Sequence, residues 1–306
     1  MIVLVTGASG FVGSHLLPAL LSEGHQVWGV ARKQRKPLLA KFPQVQWFFL
    51  DASSGFNPAL PGTPDVIIHL IGTLRETGGN TFEKAHIFST KNVVDFAQRW
   101  KVKRFLYVSA LGSRDDARTQ YHRTKGEAET IVKASGLDWT IFRPSLQILG
   151  PGDHFSQWAK KLILYNPIVP VLGGGKNMVQ PVFVQDVVSL LVRALTKKES
   201  ICKIYEVGGP ETLTFLDLLK EYTFVLGKKR IFWRVPFQAG YPVAFLGERF
   251  PWLFLLNFDI LQMMLKEDNV CDLNPLFRDF PIILTPLRLA LTIALYPALT
   301  KTSTST

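Results

Sequence analysis

Cysteine is almost missing from this chain. Cys202 and Cys271 are the only two in 306 residues, far apart and with no CxxC pair. That excludes a disulfide framework and a thiolate metal centre, and no metal is expected. A reducing, cytoplasmic compartment is the expectation. Long apolar runs are missing too. Pro251–Leu256 and Leu289–Tyr296 are the longest late in the chain. Both fall well short of the about 20 residues a spanning helix needs. No basic stretch precedes the first apolar run, so a secretory signal is not expected. There is no internal repeat, and only the tail Lys301–Thr306 is low in complexity. Acidic residues are scarce: 24 Asp and Glu against 35 Lys and Arg, a net charge of +11. The excess suits anionic ligands. It leaves peripheral attachment to an anionic inner-membrane surface, or to a protein complex, as an alternative. Nucleic acid is not expected, because the cations are scattered and no recognition motif accompanies them. With 47% apolar and 19% charged residues, the chain can bury a core and is not disordered.

The first thirteen residues carry the strongest positive signal. Ile2–Thr6 is an apolar, β-branched run, Gly7-Ala8-Ser9-Gly10-Phe11-Val12-Gly13 follows, and Ser14–Leu21 reads as a helix. Strand, glycine turn and helix N-terminus in that order make a cradle for a dinucleotide pyrophosphate. Gly7 takes a backbone angle that side chains resist, Gly10 admits phosphate to the backbone, and Gly13 lets the helix pack on the strand. Ser9, Phe11 and Val12 complete the turn. The spacing is GxxGxxG rather than GxGxxG.

Strands are expected at about 2–6, 25–30, 45–50, 65–71, 103–109 and 138–142. Helices are expected near 11–23, 81–100 and 119–135. Val66–Ile71 and Phe105–Val108 are continuously apolar, as parallel strands covered on both faces are. The fold class is therefore α/β, a doubly wound parallel Rossmann sheet whose ligand sits at the carboxyl edge of the strands. Residues 1–150 would form the dinucleotide-binding domain, with return segments near 178–208. Residues 151–177 and 209–306 would form a smaller, mostly helical lobe. Gly150–Asp153 reads as a turn and Gly173–Gly175 as a loop of flexible or close-approach type. Gln180–Asp186 reads as a strand entering a helix, with Asp186 as its cap.

Beyond the glycines, the second strand ends at Arg32, with Lys33, Arg35 and Lys36 behind it. An acid usually stands here to bind the ribose 2′-hydroxyl. A guanidinium forks onto a 2′-phosphate instead, so NADP(H) is favoured and NAD(H) is the alternative. A solvated basic loop has the same composition. Asp51, followed by Ala52, reads as an adenine contact or as a plain turn residue. Leu70, Ile71 and Gly72 end the fourth strand beside the cofactor, and His69 reads as packed.

Tyr121-His122-Arg123-Thr124-Lys125 has the spacing YxxxK, which puts the phenol and the ammonium on one helix face. A neighbouring Lys⁺ lowers a phenol pKa, which makes Tyr121 a candidate acid/base and Lys125 its support and a ribose ligand. A solvated helix face has the same spacing.

As a set, these motifs resemble the short-chain dehydrogenase/reductase superfamily, in its extended epimerase/dehydratase branch. The set is Thr6-Gly7-x-x-Gly10-x-x-Gly13, Asp51, Tyr121-x-x-x-Lys125, Arg143-Pro144-Ser145, Gly150–Asp153 and Val184-x-Asp186-Val187. The resemblance implies NAD(P)(H) binding, with Pro144 and Ser145 near the coenzyme. It also implies oxidoreductase or epimerase-like acid–base chemistry on a carbonyl or carbinol. It implies a serine or threonine beside Tyr121, but Ala110 stands in that slot and Ser109 falls one residue early. Ser109 or Ser113 would serve only if the chain bends. Val108–Gly112 and Tyr121–Glu129 are most similar to an atypical subgroup, that of the nucleotide-binding accessory subunit of respiratory complex I and its stand-alone bacterial relatives. Leu265–Val270 and Leu284–Leu287 resemble the same bacterial group more loosely. That subgroup implies a non-turnover NADPH-binding accessory protein, or one linked to ubiquinone metabolism, as the alternative.

For a substrate, the branch implies a sugar nucleotide, with Lys176, Arg230 and Arg234 as candidate cations. The aromatic late segment, with Phe232, Trp233, Phe237, Tyr241, Phe245, Phe250, Trp252, Phe254 and Phe258, reads as core. Alternatively it is a pocket or docking face for a hydrophobic, isoprenoid-type compound, a membrane or a partner.

Overall fold

The computed structural model describes residues 1–34, 36–249, 258–259, 261–262 and 270–300. Arg35, Phe250, the run Pro251–Leu256, most of Leu265–Val270 and the tail Lys301–Thr306 lie outside the described residues.

The first strand, β1 (Ile2–Thr6), feeds through the glycine turn into α1 (Phe11–Ser22). Then come β2 (Gln26–Ala31), α2 (Lys36–Lys41), β3 (Gln46–Phe49) and β4 (Val66–His69). A π-helical turn, Glu83–Phe88, runs into α3 (Ser89–Arg99). Next are β5 (Arg104–Val108), α4 (Gln120–Lys133) and β6 (Asp138–Pro144). These six strands pair in parallel, and a later strand, Lys203–Val207, joins the edge beside β6. Every residue of β4 and β5 is buried, which is why their sequences read as unbroken apolar runs. Leu4, Ile67, Phe96, Phe105 and Tyr107 are among the residues at the centre of the core. The order β3-β2-β1-β4-β5-β6 reverses direction between β1 and β4, and that switch point is where a doubly wound sheet opens a crevice.

The chain divides into two compact units. The first comprises Met1–Pro144, Val187–Glu206 and Leu273–Pro281. In it the Arg104 guanidinium, buried and pushed down to about 10 by desolvation, donates to the carbonyls of Asp138 and Ala194 and to the hydroxyls of Thr140 and Ser200. Lys203 and the Tyr205 phenol both donate to Asp279, at 2.8 and 2.7 Å. The Phe280 ring stands edge-on to Tyr205 at 5.1 Å.

The second unit comprises Ser145–Asp186, Val207–Asp272 and Ile282–Thr306. Its helix α5 (His154–Tyr165) is capped by Asp153, whose carboxylate accepts from the N–H groups of Gly150 and Ser156. The helix α7 (Phe215–Val225) is capped by Thr214. A 2.7 Å hydrogen bond between Ser156 Oγ and Tyr222 Oη ties the two. Gly173, Gly174 and Gly175 all have positive φ, and a Cβ on Gly175 would lie 2.8 Å from Val171, so this loop is a close approach rather than a flexible link. Asp186 does not cap α6 (Val184–Ala194). It lies inside the first turn, and its carboxylate accepts from Thr285 N–H and Oγ1 at 2.9 and 2.8 Å.

Candidate functional site

Gly7 ends β1 at φ +73°, and a Cβ there would meet the backbone of Leu70 and Ile71 at 3.0 Å. A Cβ on Gly13 would lie 2.6 Å from the Ala8 carbonyl oxygen. No side chain could occupy either place without moving backbone. Gly10 is the N-cap of α1, and it offers the helix no side-chain hydrogen bond. The first turn carries no acid. The N-caps of α4, α5 and α7, by contrast, are side chains that accept from their own helices. The open N–H groups at the start of α1 and the bare glycine cradle fit an anionic pyrophosphate.

That cradle is one wall of an open cleft. Gly7, Ser9 and Gly10 of the turn line it together with Arg32, Asp51 and Ala52 after the second and third strands and Leu70, Ile71 and Gly72 after the fourth. Nine of the residues expected at a coenzyme site therefore share one cavity. Phe11, Val12 and Gly13 shape the start of α1 without lining it, with Phe11 edge-on to His15 at 5.0 Å. Ser145 opens the second unit: its N–H donates to the Val207 carbonyl, while its buried hydroxyl has no partner among the described residues.

The cleft also holds residues that sequence reasoning missed. Asn80, Lys84, Ala85 and Ser89 enter from the π-helical turn and its approach. Arg32 Nη1 donates to Asn80 Oδ1 at 3.0 Å. Lys84 Nζ donates to the Gly79 carbonyl at 2.9 Å. Asp51 accepts from Ser53 N–H and Oγ at 2.9 and 2.7 Å, so the turn residue and the cleft residue are the same one. Partial burial works to raise its pKa. The Ser53 hydrogen bonds and the charges of Arg32 and Lys84 outweigh that and hold it below the usual carboxylate range. The small pair Ala85 and Ser89, four apart on one helical face, was the available signal for this wall.

Tyr121 and Lys125 lie one turn apart on α4, and both are buried. The Lys125 ammonium donates to Tyr107 Oη at 3.3 Å and to the Val108 carbonyl at 3.1 Å. It stands where a Cβ on Gly72 would come within 3.1 Å of it, so it abuts a residue of the cleft wall. Burial lowers its pKa to about 8, against the pull of Glu129. The spacing alone suggests a phenol lowered by its lysine. In the structure burial pushes Tyr121 up, so its phenol is protonated at neutral pH.

A buried chain of hydrogen bonds holds this helix against the wall. His86 Nε2 lies 3.2 Å from both the N–H and the carbonyl oxygen of Thr73, and its Nδ1 lies 2.8 Å from Thr124 Oγ1. Thr124 Oγ1 donates on to the carbonyls of Gln120 and Tyr121. Desolvation and the Lys125 charge keep His86 neutral, down to about 2. His69 is packed: it bonds Thr6 and Thr90 at 2.6 and 3.1 Å, and burial lowers it to about 3. Ser109 donates to Ser113 at 3.1 Å, and Ser113 to the Ala110 carbonyl, so the two serines engage each other.

The profile of the NAD dependent epimerase/dehydratase family matches residues 3–208. NADH dehydrogenase (ubiquinone) 1 alpha subcomplex subunit 9, mitochondrial, of Arabidopsis thaliana is 26% identical over 299 residues, covering 92% of this chain and 74% of that protein. The ceramide reductase of Caulobacter vibrioides is 26% identical over 246 residues, 77% of this chain and 74% of its own length. Among solved structures, the dTDP-glucose 4,6-dehydratase of Bacillus anthracis in complex with NAD superposes with a TM-score of 0.74 over 99% of this chain and 98% of its own, at 15% identity. That last likeness is one of fold. The glycine cradle, the parallel sheet and a profile running from β1 through the edge strand agree: the chain belongs to the NAD dependent epimerase/dehydratase family.

Proposed function

We propose that the protein is an NADP(H)-dependent oxidoreductase that reduces a carbonyl to a carbinol. The observation that carries this reading is the buried pair on α4, with the Lys125 ammonium against Gly72 of the cleft wall. A nicotinamide coenzyme, when bound, supplies hydride. The first turn of α1 holds its pyrophosphate, and Arg32 and Lys84 face its adenosine end. Tyr121 stands protonated and delivers its proton to the carbonyl oxygen as that oxygen gains charge. A phenol kept protonated by burial suits the reductive direction. Lys125 fixes the neighbourhood electrostatically and offers a donor to ribose hydroxyls. Between a sugar nucleotide and a hydrophobic carbonyl compound, similarity to a ceramide reductase supports the second.

A specific observation favours a second reading, in which NADPH is held without turnover in a protein complex. The family resemblance puts Ala110 in the serine slot, and Ser109 is engaged with Ser113. Similarity along 92% of the chain to a complex I subunit supports it. Releasing and identifying the nucleotide that copurifies with the protein tests both readings at once. Substrate-dependent NADPH oxidation that Tyr121→Phe abolishes, with nucleotide affinity unchanged, supports the enzyme. Equal turnover by that variant removes Tyr121 from the mechanism.

A further inference from the structure

In the second unit, Ile231–Val235 pairs in parallel with Ile168–Leu172. The register sets Ile231 beside Ile168, Trp233 beside Pro170 and Val235 beside Leu172, so these six share one face of the ribbon. All six are apolar. On the opposite face Val169 and Val171 are buried, at 0% and 1% exposure, Phe232 is half-buried and Arg234 is exposed. On the six-residue face Ile231 is 68% exposed, Trp233 63% and Ile168 49%; Pro170 is exposed too, while Leu172 and Val235 are half-buried. Tyr165, at the end of α5, is 81% exposed. Core formation does not explain an aromatic and two isoleucines left in water on one flat ribbon.

The two segments that build this face carry charge of one sign. Residues 159–176 and 223–247 contain no Asp or Glu and seven Lys or Arg. Lys161, Lys176, Lys228 and Lys229 are exposed. Arg230 closes the end of α5, donating to the carbonyls of Ile163 and Leu164. An apolar, Trp-bearing face built from segments whose only charges are cationic matches the layered chemistry of an anionic bilayer surface: acyl boundary beneath, phosphate around it.

We propose that this ribbon is a docking surface for an anionic lipid bilayer, with Trp233 and Ile231 entering the interface and Lys228 and Lys229 meeting lipid phosphates. The assignment is independent of the coenzyme reading, because it rests on a surface outside the cleft.

Flotation of the full chain with vesicles tests it. The protein is expected to float with mixed phosphatidylcholine–phosphatidylglycerol vesicles, to stay behind with phosphatidylcholine alone, and to be released by high salt. Trp233→Glu is expected to abolish flotation, and Lys228→Glu with Lys229→Glu to weaken binding about tenfold or more. All three side chains are exposed, so thermal unfolding of the variants is expected to match the parent. No flotation with mixed vesicles, flotation equal on neutral ones, or full binding by either variant overturns the proposal. So does a dimer in light scattering that Trp233→Glu dissolves while vesicles capture nothing, which would assign the face to a second copy of the chain.

Discussion

The Lys125 ammonium lies 4.9 Å over the centre of the Tyr107 ring and donates to that residue's hydroxyl. A phenol on β5, not the one at the other end of the YxxxK spacing, is therefore a direct partner of the buried lysine. Tyr107→Phe removes an acceptor from a charge inside the protein. The expected loss is about 1–2 kcal/mol in denaturant unfolding at neutral pH. The sign of the pH dependence follows from the depressed pKa. Below about pH 8 the folded state carries the full penalty of a buried ammonium; as pH rises from 8 toward the ordinary 10.5, that penalty disappears and stability increases. Unfolding midpoints measured across this window in Lys125→Met are expected to lose that rise.

Arg32 and Lys84 reach the same end of the cleft from different elements. If a 2′-phosphate sits between them, Arg32→Ala and Lys84→Ala each weaken NADPH by about tenfold or more in calorimetry while leaving NADH nearly unchanged. Equal losses for both coenzymes would place the two cations at the pyrophosphate instead, and no effect would remove them from binding.

Gly13→Ala places a methyl group 2.6 Å from one carbonyl oxygen and 2.7 Å from another, both backbone. The expected cost is about 2–3 kcal/mol of stability, with loss of coenzyme binding as the turn opens. Gly10→Ala meets one oxygen at 3.1 Å and is expected to unfold less readily than Gly13→Ala while still obstructing the cradle.

His69, His86 and His122 are all held neutral by burial, at about 3, 2 and 4. Each binds a proton more easily once unfolded. Their contribution is complete above pH 6.5 and is lost as pH falls through that value toward the folded ones. Each adds a slope of up to about 1.4 kcal/mol per pH unit. Acid titration of His69→Gln by circular dichroism is expected to show a shallower fall than the parent between pH 6 and pH 4.

The sheet was legible because buried parallel strands need apolar runs, and the glycine cradle because only glycine fits where backbone meets backbone. Three things were not legible. Lys84 lines the cleft only because a π-helical turn brings it there, and a helical reading of 81–100 has no local mark for that turn. Tyr107 meets Lys125 across two elements, whereas the YxxxK spacing describes one. Asp186 has the look of a cap at the head of α6, yet its partner is Thr285, 99 residues away. Each is set by long-range apposition, about which periodicity is silent.

The contacts of Asp279 and Phe280 carry a consequence for biosynthesis. Leu273–Pro281 belongs to the first compact unit but is translated only after that unit's other segments, Met1–Pro144 and Val187–Glu206. On the ribosome, Tyr205 and the aromatic flank of β6 stay uncovered until that short segment emerges from the exit tunnel. A nascent chain halted before Pro281 therefore presents the Phe142 and Tyr205 rings without their Phe280 cover, an aggregation-prone apolar surface for the cell's chaperones to meet.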